Sequence, residues 1–318
     1  MRKQNCLYCY QPLLESERDF HAACCKKFFG TEEPPTLALN EEKLKELANS
    51  IVLRSVAVTG VQPKLSLSIE KEPGDPKKSR FTIVGLWGQY ILKPPTPEFP
   101  FLPENEDLTM HLASLCGITT ADHSLLRLES GDLAYITKRF DRLGQNKLAL
   151  EDMAQLTETL TSDKYRSSME KIGKCIWSFA SSPGLAAVAF FERVVFSFLT
   201  GNADMHLKNF ALLTQANQEV VLAPAYDMLC TILAIPDDKE ESALTINGKR
   251  NRLTKRDFDL LAANLKIPER SIANVYAGFG TRFTELEKCI QSSFLPDDIK
   301  AQYLNTVHKN YRRLGLLK

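Results

Sequence analysis

Apolar and polar residues alternate along Lys64-Leu65-Ser66-Leu67-Ser68-Ile69 and Phe81-Thr82-Ile83-Val84, with the turn-rich Glu72-Pro73-Gly74-Asp75-Pro76 between them. A period of two bounded by Pro and Gly predicts antiparallel strands. Further strands are expected over Gln89 to Lys93, Ser124 to Leu128 and Leu133 to Thr137, with helices over Glu41 to Ser50 and Asp107 to Cys116. From residue 151 onward the spacing turns helical, predicting helices over Asp152 to Thr159, Tyr165 to Phe179, Gly184 to Thr200, Lys255 to Asn264, Pro268 to Ser292 and Asp297 to Leu314. Between two of these, Phe210 to Leu213 and Val220 to Leu222 read as a hairpin. The expected class is α+β, with an antiparallel sheet and a helix in an N-lobe and a largely helical C-lobe.

A length of 318 residues at 44% hydrophobic and 25% charged content allows a substantial core and suggests two lobes. Forty basic residues against thirty-nine acidic ones leave no electrostatic footprint for nucleic acid or an anionic membrane. Met1-Arg2-Lys3-Gln4-Asn5 is followed by cysteines and polar residues, so a cytoplasmic protein without a membrane partner is the default expectation. The apolar run Leu185 to Thr200 carries Glu192 and Arg193 at its middle and reads as a buried helix. Cys116, Cys175, Cys230 and Cys289, scattered in apolar surroundings, read as reduced core thiols.

The segment Gly201-Asn202-Ala203-Asp204-Met205-His206-Leu207-Lys208-Asn209-Phe210, followed by Pro224-Ala225-Tyr226-Asp227-Met228, carries the candidate chemistry. Phosphoryl transfer by kinases uses an Asp that accepts the substrate hydroxyl's proton, an Asn five positions on and a second Asp, the latter two holding Mg²⁺. Asp204, Asn209 and Asp227 keep that arrangement, after an apolar helix and around a hairpin. The competing reading makes both aspartates turn or cap residues, which spacing alone does not exclude. Lys93, at a strand end, stands where a kinase keeps the lysine that neutralises nucleotide phosphates, and Glu106 where a helix glutamate pairs with it. Taken singly, Lys93 also reads as a solvated edge residue and Glu106 as a first-turn acid favoured by the helix dipole. Ser55 to Lys64 carries a single glycine, Gly60, and unaided reads as a plain turn.

Cys6-Leu7-Tyr8-Cys9 and His21-Ala22-Ala23-Cys24-Cys25 resemble a small zinc knuckle, with Cys6, Cys9 and His21 as ligands and Cys24 or Cys25 as the fourth. The first thirty residues hold too little apolar material to fold alone, which favours a metal clip; the alternative is a set of free thiols. Thr31-Glu32-Glu33-Pro34-Pro35 reads as a stiff connector. The expected segments are therefore 1–35, an N-lobe over 36–142 and a C-lobe over 143–318.

Six blocks in order resemble the HipA family of serine/threonine kinases, toxins of bacterial toxin-antitoxin modules: Thr59 to Lys64, Leu102 to Glu106, Lys138 to Arg142, Glu151 to Gln155, Gly201 to Phe210 and Pro224 to Asp227. The resemblance implies a bilobal protein-kinase-like fold. It implies ATP bound between the lobes by Lys93, Glu106 and the loop of Thr59, Gly60, Gln62 and Lys64, with Asp204 as base and Mg²⁺ on Asn209 and Asp227. His206 and Lys208 would line the same site. Family toxins phosphorylate aminoacyl-tRNA synthetases and bind a small DNA-binding antitoxin, which makes any DNA contact indirect.

Two departures from the family pattern stand out. Where family toxins carry an autophosphorylated serine three positions before the glycine, this chain has Ala57, so Thr59 or Ser55 is the expected site. Longer members also carry an N-terminal subdomain for which this chain shows the Cys/His segment instead, so a separate small protein resembling that subdomain is an expected partner. The alternative function is a DNA-associated regulator acting through an antitoxin or the knuckle, with the kinase fold as scaffold. A lipid kinase is disfavoured by the lack of a basic amphipathic membrane helix.

Overall fold

A computed structural model describes residues 5–37, 63–72, 75–84, 87–144 and 146–317. The fold is α+β, as the patterning predicts, and the chain divides into two compact units. Unit 1 comprises Met1–Asp107, Ala121–Phe140 and Ser292–Leu295, and unit 2 comprises Leu108–Thr120, Asp141–Gln291 and Pro296–Lys318. The helix expected over Glu41 to Ser50 and the candidate residues Ser55, Thr59, Gly60 and Gln62 lie outside the described residues.

Unit 1 is built on a five-stranded antiparallel sheet of β1 (Leu65–Glu72), β2 (Asp75–Ile83), β3 (Tyr90–Lys93), β4 (His123–Arg127) and β5 (Leu133–Lys138), in the order β2-β1-β3-β5-β4. Alternation along β1 buries Leu65 and Leu67, which join Leu92, Leu125, Ala134 and Ile136 in one core. The N-terminal segment completes that core. Its helix α1 (Ala22–Phe29) ends at Gly30, whose φ of 78° suits a left-handed cap, and it contributes Cys25, Phe28 and Phe29. Phe28, Phe29, Phe81 and Tyr90 stack edge to face across the interior, and the Tyr90 hydroxyl donates to the Phe28 carbonyl at 3.0 Å. The segment also meets the sheet's backbone: the N–H of Leu125 on β4 donates to the Leu7 carbonyl, and Thr36 exchanges two backbone bonds with Ser79 and Phe81 on β2.

Helix α2 (Leu102–Leu115) starts five residues before the expected Asp107, because Pro103 in the first turn loses nothing there; that position has no intrahelical N–H partner to give up. Unit 2 contains two small sheets, β6 (Arg142–Leu143) with β7 (Asn146–Lys147), and β8 (Leu150–Asp152) with β9 (Ala211–Thr214) and β10 (Val220–Leu222). Its helices are α3 (Met153–Leu156), α4 (Met169–Phe179), α5 (Pro183–Thr200), α6 (Thr231–Ala234), α7 (Lys255–Asn264), α8 (Glu269–Ser292) and α9 (Asp297–Arg313). Helix α4 begins at Met169 rather than Tyr165 because Ser168 caps it, accepting the Lys171 N–H. By length and composition α5 could cross a membrane, yet it is mostly buried within the protein. Its Phe190 packs on Phe210 and its Phe198 on Phe258, so its apolar surface forms the unit's core.

Candidate active site

The loop after α5 owes its course to a helix stop and a strap. Gly201 takes φ 71°, and its N–H returns to the Phe198 and Ser197 carbonyls, closing the helix. A Cβ at Gly201 would lie 2.8 Å from Thr306 Cγ2, so both conformation and space select glycine. The Thr231 hydroxyl then donates to the Gly201 carbonyl at 3.1 Å and accepts the Ala203 N–H at 2.9 Å, tying the loop to α6. Asn202 Oδ1 accepts the Asp204 N–H at 3.1 Å, a local Asx turn.

These bonds leave Asp204 half-buried in a loop whose flanking residues, from Gly201 to Leu207, are buried. The Asn209 side-chain amide donates to the Asp204 carbonyl at 3.2 Å, so the five-residue spacing places a backbone clasp across the turn. His206 is buried, and burial lowers its pKa; the Asp204 and Asp227 carboxylates oppose that shift from nearby. The Tyr226 hydroxyl, one residue before Asp227, donates to the Lys208 carbonyl at 2.8 Å, which brings the two separated motifs into one neighbourhood. Asp227 itself adopts a left-handed φ of 59° after β10. Carboxylate and amide oxygens are the hard donors that Mg²⁺ takes, so Asp227 and Asn209 suit that ion.

Lys208 turns to Asp152, the N-cap of α3, at 3.0 Å, while its carbonyl accepts the Tyr226 hydroxyl at 2.8 Å. Three groups here escape sequence reading. The Tyr165 hydroxyl donates to Asp204 Oδ1 at 2.7 Å, and burial together with that carboxylate pushes its pKa upward, so it remains a donor. Arg193, fully enclosed in α5, has its pKa pushed down to about 10 by burial, with Tyr226 and Glu192 offsetting part of the shift. Its place in an apolar run is the one visible signal; neither Tyr165 nor Thr231 carries a motif.

In unit 1, Lys93 at the end of β3 meets Glu106 on α2: Nζ donates to Oε1 at 2.5 Å. The two are 3% and 1% exposed, so this is a dry ion pair, and Nζ also lies 5.3 Å from the centre of the Tyr135 ring. Lys64 is exposed just ahead of β1. One turn of α2 also holds a second buried network, in which Asp107 accepts the Tyr10 hydroxyl at 2.7 Å and contacts His123 Nδ1 at 2.7 Å. Cys6, Cys9, His21 and Cys24 bring their donor atoms within 4.8 Å of one another, a set that could hold a metal ion. Cys25 instead sits in the core, which selects Cys24 from the two adjacent cysteines.

Residues 56–285 match the HipA-like C-terminal domain family. A Sinorhizobium fredii protein named "Putative kinase Y4dM" is 31% identical over 76% of this chain and 60% of its own length. A Haemophilus influenzae protein named "Putative kinase" is 28% identical over 83% of this chain and 82% of its own. The chain thus spans about 60% of the former relative's length. Among solved structures, HipA of the Shewanella oneidensis MR-1 toxin-antitoxin system, determined with HipB and its operator DNA, superposes with a TM-score of 0.68 at 19% identity. It covers 95% of this chain and 80% of that one. The Helicobacter pylori proinflammatory kinase CtkA superposes with a TM-score of 0.51 at 16% identity, over 71% of this chain and 87% of that one. Both likenesses support a kinase-like fold for the α+β architecture described above. By the extent of its matched residues, the chain belongs to the HipA-like C-terminal domain family.

Proposed function

We propose that this chain is an ATP- and Mg²⁺-dependent serine/threonine protein kinase of toxin type. The observation that carries the reading is the Asn209 amide clasping the Asp204 carbonyl, with Tyr226, the neighbour of Asp227, bonded to the Lys208 carbonyl of the same loop. Asp204 accepts the proton of the substrate hydroxyl as its oxygen bonds to the γ-phosphorus and the bond to ADP breaks. Asn209 and Asp227 would hold Mg²⁺, which supplies charge neutralisation at the phosphates. Lys93, paired with Glu106, would neutralise phosphate charge, and Thr59, Gly60, Gln62 and Lys64 are the proposed phosphate-binding residues. His206, its pKa lowered by burial, stands in the catalytic loop edge-on to the Tyr165 ring, and Lys208 fixes that loop to α3.

The HipA–HipB–operator structure supports a small DNA-binding antitoxin as partner, with DNA reached only through it; a net charge of +1 agrees with weak direct binding. An aminoacyl-tRNA synthetase is the proposed substrate class, the cytoplasm the proposed place of action, and Thr59 or Ser55 the proposed autophosphorylation site. A separate small protein resembling the N-terminal subdomain of longer members is a further proposed partner.

The test compares wild type with Asp204→Asn and Asp227→Ala. Transfer of ³²P from ATP to protein falls at least about 10²-fold in both. Thermal stabilisation by ATP with Mg²⁺ persists in the former and is lost in the latter. Undiminished transfer by Asp204→Asn removes Asp204 from the role of base.

A further inference from the structure

We infer that Cys6, Cys9, His21 and Cys24 bind one Zn²⁺, and that this ion is a structural staple holding residues 5–30 on the sheet of unit 1. The assignment is independent of the kinase reading.

The donor spacing suits a tetrahedral site. Zinc with sulfur at about 2.3 Å and nitrogen at about 2.0–2.1 Å implies S···N edges of roughly 3.6 Å and S···S edges of roughly 3.8 Å. His21 Nδ1 lies 3.4 Å from Cys9 Sγ and 3.6 Å from Cys24 Sγ, and all four donor atoms fall within 4.8 Å of one another. Hydrogen bonding alone accounts poorly for this, since one ring nitrogen offers one lone pair or one proton to two thiols.

The imidazole is set for coordination through Nδ1. Its Nε2 lies 3.1 Å from the Pro12 carbonyl, which can only accept, so the proton sits on Nε2 and the lone pair on Nδ1. Glu17 Oε2 lies 3.8 Å from the same Nε2, a second acceptor on the outer side.

The backbone presents the ligands in two compact pieces. Cys6 and Cys9 lie in a turn closed by the Tyr10 N–H on the Cys6 carbonyl and the Cys6 N–H on the Gln11 carbonyl. His21 is the N-cap of α1 and Cys24 lies in its first turn, so one helical turn carries two of the four donors.

What the staple secures is visible in the turn itself. Leu7, between the two cysteines, is buried in the core, and its carbonyl takes the Leu125 N–H; Tyr10, one residue past Cys9, donates to Asp107 on α2. Thiolate and imidazole donors of this kind fit zinc better than the oxygen-seeking Mg²⁺.

The experiment measures zinc by mass spectrometry in the full chain, desalted after expression without added metal. About one zinc per chain is expected, retained in Cys116→Ser and Cys25→Ala and reduced below about a tenth in Cys24→Ser. His21→Cys, which preserves four donors, retains the metal, whereas His21→Ala loses most of it. Should the cysteine variants fail to fold, Co²⁺ added to chelator-stripped wild type decides, through thiolate charge-transfer bands and tetrahedral d–d bands that Zn²⁺ displaces. A folded wild-type chain without zinc, zinc undiminished in Cys24→Ser, or an octahedral cobalt spectrum each overturns the assignment.

Discussion

The two units handle charge in opposite ways. In unit 1, Lys93 and Glu106 are sealed inside the protein and depend on each other; in unit 2, Asp204 stands half-buried on a loop whose shape comes from neighbouring backbone and hydroxyl bonds. Removing an ion pair partner from a dry interior leaves an uncompensated charge, whereas a half-exposed carboxylate is already hydrated. Stability and proposed chemistry therefore share the same contacts in unit 1 and are separable in unit 2.

The sharpest way to break that contrast is Lys93→Met. Burying the Glu106 carboxylate without its ammonium should cost about 3–5 kcal/mol in urea denaturation. The same change should lower phosphate transfer at least about 10²-fold. Asp204→Asn should match the loss of transfer with little change in the denaturation midpoint; equal destabilisation by both variants would erase the distinction.

A smaller effect isolates burial in unit 1. Glu104, one turn ahead of Asp107, has its pKa raised from 4.5 to about 7, first by desolvation and then by the charges of Asp107 and Asp132. A carboxyl held protonated in the fold binds more protons folded than unfolded between those values, so stability falls as pH climbs from 4.5 to about 7 and levels off above. Glu104→Gln should flatten that slope, which amounts to at most about 3 kcal/mol; identical melting profiles for both proteins across this range would contradict the burial argument.

The smallest effect belongs to unit 2. Tyr165 is 38% exposed and its hydroxyl occupies Asp204 Oδ1, the atom proposed to receive the substrate's proton. Tyr165→Phe should raise kcat/KM roughly three- to tenfold, as loss of one competing hydrogen bond allows. A fall in kcat/KM would make Tyr165 a supporting residue instead.

Much of the architecture was legible where periodicity was long. The structure starts α7 at Lys255 and α9 at Asp297, as the spacing predicts, and β3, β4 and β5 fall within a residue of their expected runs. Strand β1 extends to Glu72 and β2 starts at Asp75, inside the stretch read as a turn, because pairing across the hairpin carries both strands past their alternating parts. Short elements escaped: α1, with adjacent cysteines and lysines, has little helical signature, and β6 to β8 are too brief to show a period. At the site, the Asp204–Asn209 step is visible as a short spacing, whereas the Lys93–Glu106 pairing, 13 positions apart, came into view only through likeness to kinases, since taken singly the two read as a solvated edge lysine and a first-turn acid. The Tyr165 contact crosses 39 positions and the Thr231 strap about thirty, distances at which only the folded chain reports a neighbour.

The same N-terminal segment that carries the cysteines also lies along both outermost strands of the five-stranded sheet, through Leu7 on β4 and Thr36 on β2. Unpaired strand margins invite a second chain to add on, and this segment precedes both strands in the sequence, so it leaves the ribosome ahead of them. The guards are thus synthesised before the ladders they protect, so a chain lacking residues 5–37 would risk clumping with its siblings before it risked losing its chemistry.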